Sequence, residues 1–276
     1  MILDGKKVSK LIKADLKKQV TSITNNLGYT PKLATILVGS DEASKVYVNM
    51  KVKACKNIGI DSLKIQMPEN TTTNTLIKKI NELNESKQVC GILLQHPTPP
   101  QIDEAKCFNA IALSKDVDGT NTASFGKMAM GQPAFKCATP LGIIMLLDYY
   151  NINLQGKNAL VIGRSQILGK PIASMLINKN ATVTIAHSKT KNLKRHLKQA
   201  DIIVACVGKP EFIKTSYLKK GVIIIDAGYN KGNIGDVDLK GARKKASYYT
   251  PVPGGVGPMT IAALLTQTVK ACKNLK

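Results

Sequence analysis

Tryptophan is absent from the 276-residue sequence, phenylalanine occurs four times and tyrosine eight. A base-stacking platform for nucleic acid needs aromatic faces, and there is little material for one. Acids are scarce too: 18 Asp+Glu stand against 40 Lys+Arg, a formal net charge of +22. Such an excess invites a polyanion as partner. Yet only three of the basic residues are arginine (Arg164, Arg195, Arg243), the side chain best matched to bidentate phosphate and base contacts. The lysines are also dispersed. Lys10, Lys13, Lys17 and Lys18 fall opposite Val8, Leu11, Ile12, Leu16 and Val20, the solvated face of an amphipathic helix. The densest cluster, Lys189, Lys191, Lys194, Arg195 and Lys198, reads as the polar side of another short helix. Nucleic-acid binding is not expected as the main function.

No apolar run approaches the ~18 residues that span a bilayer, so no membrane partner is expected. Met1–Lys7 carries no apolar core with a cleavage site, and the expected compartment is the cytoplasm. The six cysteines form no C-x-x-C pair and have no histidine at ligand spacing. Neither a metal site nor a disulfide frame is signalled, and the thiols are expected free in a reducing compartment. A hydrophobic fraction of 43% excludes a disordered or fibrous chain, and the length suits one large or two ordinary domains.

Short, uniformly apolar runs alternate with helical patterns. Strands are expected at 33–38, 89–94, 159–162, 182–186, 202–207 and 222–225. Helices are expected at 8–20, 44–57, 75–83, 139–150, 170–178, 191–199 and 259–273. Apolar strands between helices indicate parallel sheets covered on both faces. The expected class is α/β: two α/β domains with parallel sheets around a cleft, the second Rossmann-like. The first domain is assigned to residues 1–138, with a C-terminal helix over 260–276 packing back on it, and the second to 139–259. Ligands in such sheets sit outside the carboxyl ends of the strands.

In the second domain, Ala159 to Pro171 reads as strand, glycine-bearing turn and helix start. Gly163 lets backbone approach a phosphate, and the following helix N-terminus offers free N–H groups. The Gly163-x₅-Gly169 spacing is not the G-x-G-x-x-G fingerprint, so an ordinary strand-to-helix turn stays open. The next strand ends in His187-Ser188-Lys189-Thr190, where an NAD site carries an acid for the ribose hydroxyls. No acid stands there. Arg164 and Ser188 can instead hold a 2′-phosphate, which favours NADP; His187 receives no role.

In the first domain, Ser44-x-x-Tyr47-x-x-x-Lys51 shares one helix face. A lysine beside a tyrosine hydroxyl, partly desolvated, can act in proton transfer. In so lysine-rich a chain the spacing also arises by chance. Short-chain dehydrogenases use Tyr-x-x-x-Lys too, but after their nucleotide fold rather than before it. The strand over 89–94 leads into Gln95-His96-Pro97-Thr98-Pro99-Pro100, where prolines stiffen the chain around the Gln95 amide; a plain stiff loop is the alternative. Asp116-Val117-Asp118-Gly119 reads either as a turn or as a carboxylate that accepts two N–H bonds from an amino-pyrimidine edge. Thr250 to Thr260 sets prolines and three glycines before a helix and can lay a thin wall against a flat ring.

Together these motifs resemble the bifunctional methylenetetrahydrofolate dehydrogenase/cyclohydrolase family, nearly end to end and in order. The resemblance rests on Ile2–Lys6, Val38-Gly39, Ser44 to Cys55, Gly91 to Pro97, Lys115 to Gly119, Gly163-Arg164-Ser165, Ala181 to Thr184, His187 to Thr190, Gly235 to Asp238 and Thr250 to Thr260. It implies NADP-dependent oxidation of 5,10-methylenetetrahydrofolate to the methenyl form, then hydrolysis to 10-formyltetrahydrofolate. It also implies roles. Lys51 transfers the proton, Gln95 holds and tunes it, Tyr47 stacks on the folate, and Asp118 anchors the pterin's amino edge. Ser44 and the loop of Pro251, Val252, Pro253, Gly254 and Gly255 complete the folate site. Gly163, Arg164, Ser165, Ser188 and Tyr229 correspond to NADP contacts, and a homodimer paired through the second domain is usual. This sequence departs from the family pattern at His96 and Thr98, where leucines are usual, at Cys137-Ala138, and at Tyr229, in place of a small aliphatic residue.

Overall fold

The computed structural model describes residues 1–274. The chain divides into two compact units. One holds Leu11–Ala138 and the residues from Leu264 onward; the other holds Thr139–Ala263 and Met1–Lys10. Leu275 and Lys276, the end of the expected 260–276 helix, lie outside the described residues.

The first unit opens within α1 (Gly5–Leu27), from Leu11 on; along the helix Val8, Leu16, Val20 and Ile23 are buried while most of its lysines face water. Then follow β1 (Lys32–Val38), α2 (Glu42–Ile58), β2 (Asp61–Met67), α3 (Thr73–Glu85), β3 (Val89–Leu94), α4 (Glu104–Ala110) and α5 (Thr122–Ala129). The strands form a parallel sheet in the order β2-β1-β3. β1 and β3 are buried almost throughout, as their unbroken apolar runs require. Strand β2 was not expected. It is an edge strand, mostly exposed, in which Asp61 and Lys64 break the apolar run. Alanine, isoleucine and leucine side chains of β1 and β3 meet Leu76 and Ile80 of α3 and Cys107 and Phe108 of α4 in the core.

The second unit comprises α6 (Ala138–Tyr149) from Thr139 on, β4 (Asn158–Ile162), α7 (Gly169–Ile177), β5 (Thr182–Ala186), α8 (Leu193–Gln199), β6 (Ile202–Ala205), β7 (Ile223–Asp226), α9 (Leu239–Ala242), β8 (Tyr248–Tyr249) and the start of α10 (Val256–Cys272), which from Leu264 onward groups with the first unit. Its five strands are all parallel, in the order β5-β4-β6-β7-β8. The doubly wound arrangement puts the carboxyl ends of β4, β5, β6 and β7 along one edge. Residues 1–10, expected with the first domain, group here. Leu3 N–H donates to Tyr249 O at 2.8 Å and Tyr249 N–H to Met1 O at 3.1 Å, so the N-terminus pairs alongside β8.

Candidate active site

Helix α2 begins at Asp41, whose carboxylate accepts the Ser44 N–H at 2.7 Å, satisfying an otherwise unpaired first-turn amide. It ends at Gly59 in the left-handed region, φ 89°. Between these caps Ser44, Val48, Cys55 and Ile58 form a buried row, and Lys51 occupies the row's middle position. A lysine in the apolar row of a helix is carried inward with it. Burial accordingly lowers the Lys51 ammonium from the usual lysine range, and the Asp118 charge opposes that shift. Cys55, one turn further, is pushed up to about 12 by burial and stays a neutral thiol near pH 7.

Lys51 Nζ donates to Gln95 Oε1 at 3.0 Å. Gln95 is the first residue after β3, and its N–H extends the ladder to Ile36 O at 2.8 Å. Its Nε2 donates to His96 O at 2.6 Å, which leaves Oε1 turned toward the amine. An amide oxygen accepts from the lysine without adding the negative charge that would lock the proton in place. Beyond it, His96 Nδ1 lies 2.8 Å from Glu104 Oε2, and Thr98 N–H donates to Glu104 Oε1 at 2.7 Å. Those bonds fasten the proline loop.

Asp118 arrives on a segment laid along β3. Ile92 N–H donates to Lys115 O at 2.8 Å. Gly91 is needed there, because a Cβ would stand 2.7 Å from both Val117 methyl groups. The segment turns at Gly119, φ 64°, pressed against the backbone of Lys136 and Cys137. Asp116 is the structural acid of the pair. It is buried, accepts the N–H groups of Thr120 and Asn121 at 3.0 and 3.1 Å, and is pushed up to about 6 by burial. Asp118 is half-buried. Desolvation raises its carboxyl above the usual range, while Lys51, His96 and the Ala138 N–H pull it down.

Lys51, Gln95 and Asp118 are thus brought into direct interaction. Tyr47 lies one turn before Lys51 and is 38% exposed. Ser44 is 3% exposed, and both its amide and its hydroxyl bond to Asp41.

In the other unit, Gly163 N–H donates to Ala186 O at 2.9 Å before the chain leaves β4 at φ 133°. A Cβ on Gly163 would collide with Cys206, and one on Gly169 would stand 2.7 Å from Arg164 Cα. The two glycines therefore close the turn tightly over the start of α7. Ser165 Oγ accepts the Gly169 N–H at 3.2 Å. Pairing of Ile162 with Ala186 brings Arg164 and Ser188, each two residues further on, out at one sheet edge, both exposed. Tyr229 follows β7, 57% exposed, with its Oη donating to Asn233 Oδ1 at 2.6 Å.

Two buried acids hold the neighbouring loops. Asp236 accepts the N–H groups of Val207, Gly208 and Lys209 at 2.6, 3.0 and 3.0 Å. Asp226 accepts those of Gly228, Asp236 and Val237 at 3.0, 2.9 and 2.9 Å. The Pro251–Gly255 loop belongs to this same unit. It contains a cis Val252–Pro253 bond and Gly254 at φ 106°, and Gly254 O accepts the Lys6 N–H at 2.9 Å. Among the described residues, no group of three or more His, Cys, Asp or Glu side chains is placed to hold a metal.

Residues 3–118 match the family model for the catalytic domain of tetrahydrofolate dehydrogenase/cyclohydrolase, and residues 137–276 match its NAD(P)-binding domain. The chain belongs to this family. The bifunctional protein FolD of Saccharophagus degradans is 57% identical over 99% of this chain and 98% of its own length. The crystal structure of the bifunctional enzyme FolD from Campylobacter jejuni superposes with a TM-score of 0.97 at 46% identity, covering 99% of both chains. The Trypanosoma brucei enzyme, crystallised with NADP cofactor and an inhibitor, superposes with a TM-score of 0.95 at 32% identity, covering 99% of this chain and 97% of that one. Lys51, Gln95 and Asp118 fall in the part that matches the catalytic domain, and Gly163, Arg164, Ser165, Ser188 and Tyr229 in the part that matches the NAD(P)-binding domain.

Proposed function

We propose that the protein oxidises 5,10-methylenetetrahydrofolate with NADP to the 5,10-methenyl cation and hydrolyses that cation to 10-formyltetrahydrofolate. The observation that carries this reading is the 3.0 Å Lys51–Gln95 bond beside Asp118, in a chain of this family. NADP, when bound, accepts the hydride lost by the one-carbon unit.

The protein's own part is proton handling and positioning. Burial lowers the proton affinity of Lys51, which makes the neutral amine available at lower pH than in water. In hydrolysis, water adds to the methenyl carbon and its proton passes to the Lys51 amine. The resulting ammonium then gives that proton to N5 as the carbon–N5 bond breaks. The carbinol hydroxyl loses its remaining proton to solvent to become the formyl C=O, so that one proton is released overall. Gln95 orients the amine throughout. Asp118 accepts N–H bonds from the amino-pyrimidine edge, Tyr47 offers its ring to the folate, and Ser44 secures the start of the helix that carries Tyr47 and Lys51. The resemblance assigns Pro251, Val252, Pro253, Gly254 and Gly255 to folate as well, and their stiff backbone supports that.

The nucleotide turn suits NADP. Gly163 leaves its backbone bare for a phosphate, Arg164 and Ser165 flank it, and the Arg164 fork with Ser188 matches a 2′-phosphate. No acid follows β5 to meet a free ribose hydroxyl. Tyr229 is assigned a backbone contact to the cofactor. A homodimer paired through the NAD(P)-binding unit, working in the cytoplasm, completes the reading; no helix among the described residues is long and apolar enough to cross a membrane.

An absorbance assay tests this. With methylenetetrahydrofolate and NADP, the methenyl form appears and then decays faster than in enzyme-free buffer, and NAD supports the first step poorly. No NADP-dependent methenyl formation contradicts the reading.

A further inference from the structure

Gln267 lies on α10, far along the chain from the site residues, yet it is 5% exposed and its amide is fully engaged. Its Nε2 donates to Val117 O at 2.8 Å and to Lys136 O at 2.7 Å, and its Oε1 accepts the Lys136 N–H at 2.7 Å. Both N–H bonds and the oxygen are used, so the amide has one orientation. The two segments it joins are the ones that set Asp118. Val117 O belongs to the residue just before Asp118. Lys136 and Cys137 form the wall against which Gly119 packs, and Cys137 Sγ donates to Gly119 O at 2.9 Å. One residue further, the Ala138 N–H bonds to the Asp118 carboxylate itself.

We infer that Gln267 is a positioning residue for folate binding, clamping the Asp116–Gly119 turn to Lys136–Cys137 so that the Asp118 carboxylate is held in place. The inference rests on Asp118 as the folate anchor proposed above. Gln267→Met keeps the volume and removes all three bonds. It leaves two buried carbonyls and one N–H unpaired, which loosens the turn rather than emptying the core. A shift of about 1 Å in a positioned group is enough to cost on the order of 100-fold.

The test is a double-mutant cycle in the full-length enzyme on Gln267→Met and Asp118→Ala, reading KM for the folate and for NADP. Gln267→Met is expected to raise the folate KM at least tenfold and to leave the NADP KM within twofold. In the Asp118→Ala background it is expected to add less than twofold, because the anchor it positions is already gone. Equal fold-changes in both backgrounds, or a parallel rise in the NADP KM, overturn the positioning role. If Asp118→Ala leaves the folate KM unchanged, the anchor assignment falls and takes this inference with it, a result distinct from failure of Gln267 alone. Should Gln267→Met not accumulate folded, Gln267→Asn, which withdraws the same amide by one methylene, is read identically.

Discussion

Lys51 owes its chemistry to where it stands in a helix. Val48, Cys55 and Ile58 set a buried row, and the amine in that row has its charged form disfavoured by burial, with Asp118 restoring part of it. In the proposed mechanism hydrolysis uses the neutral amine, so its rate is expected to rise with pH through the Lys51 value. Removing the Asp118 charge lowers that value further. In Asp118→Asn the rising limb of the cyclohydrolase kcat profile is therefore expected to move to lower pH, measured at saturating folate; an unmoved limb separates the two groups. Arg164→Ala is expected to raise the NADP KM about 10- to 100-fold, the equivalent of one or two charged hydrogen bonds, with the NAD KM within twofold, as compared in steady-state assays. The helix, strand end and turn that carry Lys51, Gln95 and Asp118 were legible from spacing and turn chemistry, whereas their joining in one site was implied only by the family resemblance. The resemblance pointed to Asp118 rather than Asp116, but the residues alone did not give the reason, which is that the backbone of Thr120 and Asn121 encloses the Asp116 carboxylate. Gln267 was not legible, because its partners lie 131 and 150 positions away in the chain.

At the scale of elements, the motifs quoted for chemistry also carry structure. Lys115, at the start of the Lys115–Gly119 motif, sends Nζ to the carbonyl oxygens of Leu83, Asn84 and Ser86 at 3.0, 2.6 and 2.7 Å. It thereby satisfies the open carboxyl end of α3. Lys115→Met is expected to cost about 2 kcal/mol and to lower the unfolding midpoint by several degrees in calorimetry. Gly163→Ala is expected to raise the NADP KM at least tenfold, because φ 133° and the contact with Cys206 leave no room for a methyl group; equilibrium NADP titration checks it. Long periodic elements matched their sequence patterns to within a few residues, except α1, expected at 8–20, which runs on to Leu27. Those that did not announce themselves are short or lie at an edge. α4 and α9 span seven and four residues, and β8 has two, lengths at which periodicity carries no signal. β2 forms by completing the ladder of β1 rather than by burying an apolar run of its own.

For the whole molecule, the charge of +22 reads as many lysines on solvated helix faces. The field still favours small anionic ligands, so the NADP KM is expected to rise with salt. Acid behaviour follows from two of the buried carboxylates that hold loops. Asp116 and Asp226, one in each unit, are raised from 3.8 to about 6 by burial. Each favours the folded state most below its unfolded value, and that contribution fades as pH rises toward about 6. The melting temperature of the wild type relative to Asp226→Asn is thus expected to be higher at pH 4 than at pH 7. The proposed mechanism turns on the amine of Lys51, and cyclohydrolase turnover by Lys51→Met is its most direct test. The predicted result is a loss of 10²-fold or more, the usual worth of a positioned acid–base group, estimated at about 10² to 10⁴, with NADP affinity unchanged. Turnover within tenfold of the wild type contradicts it.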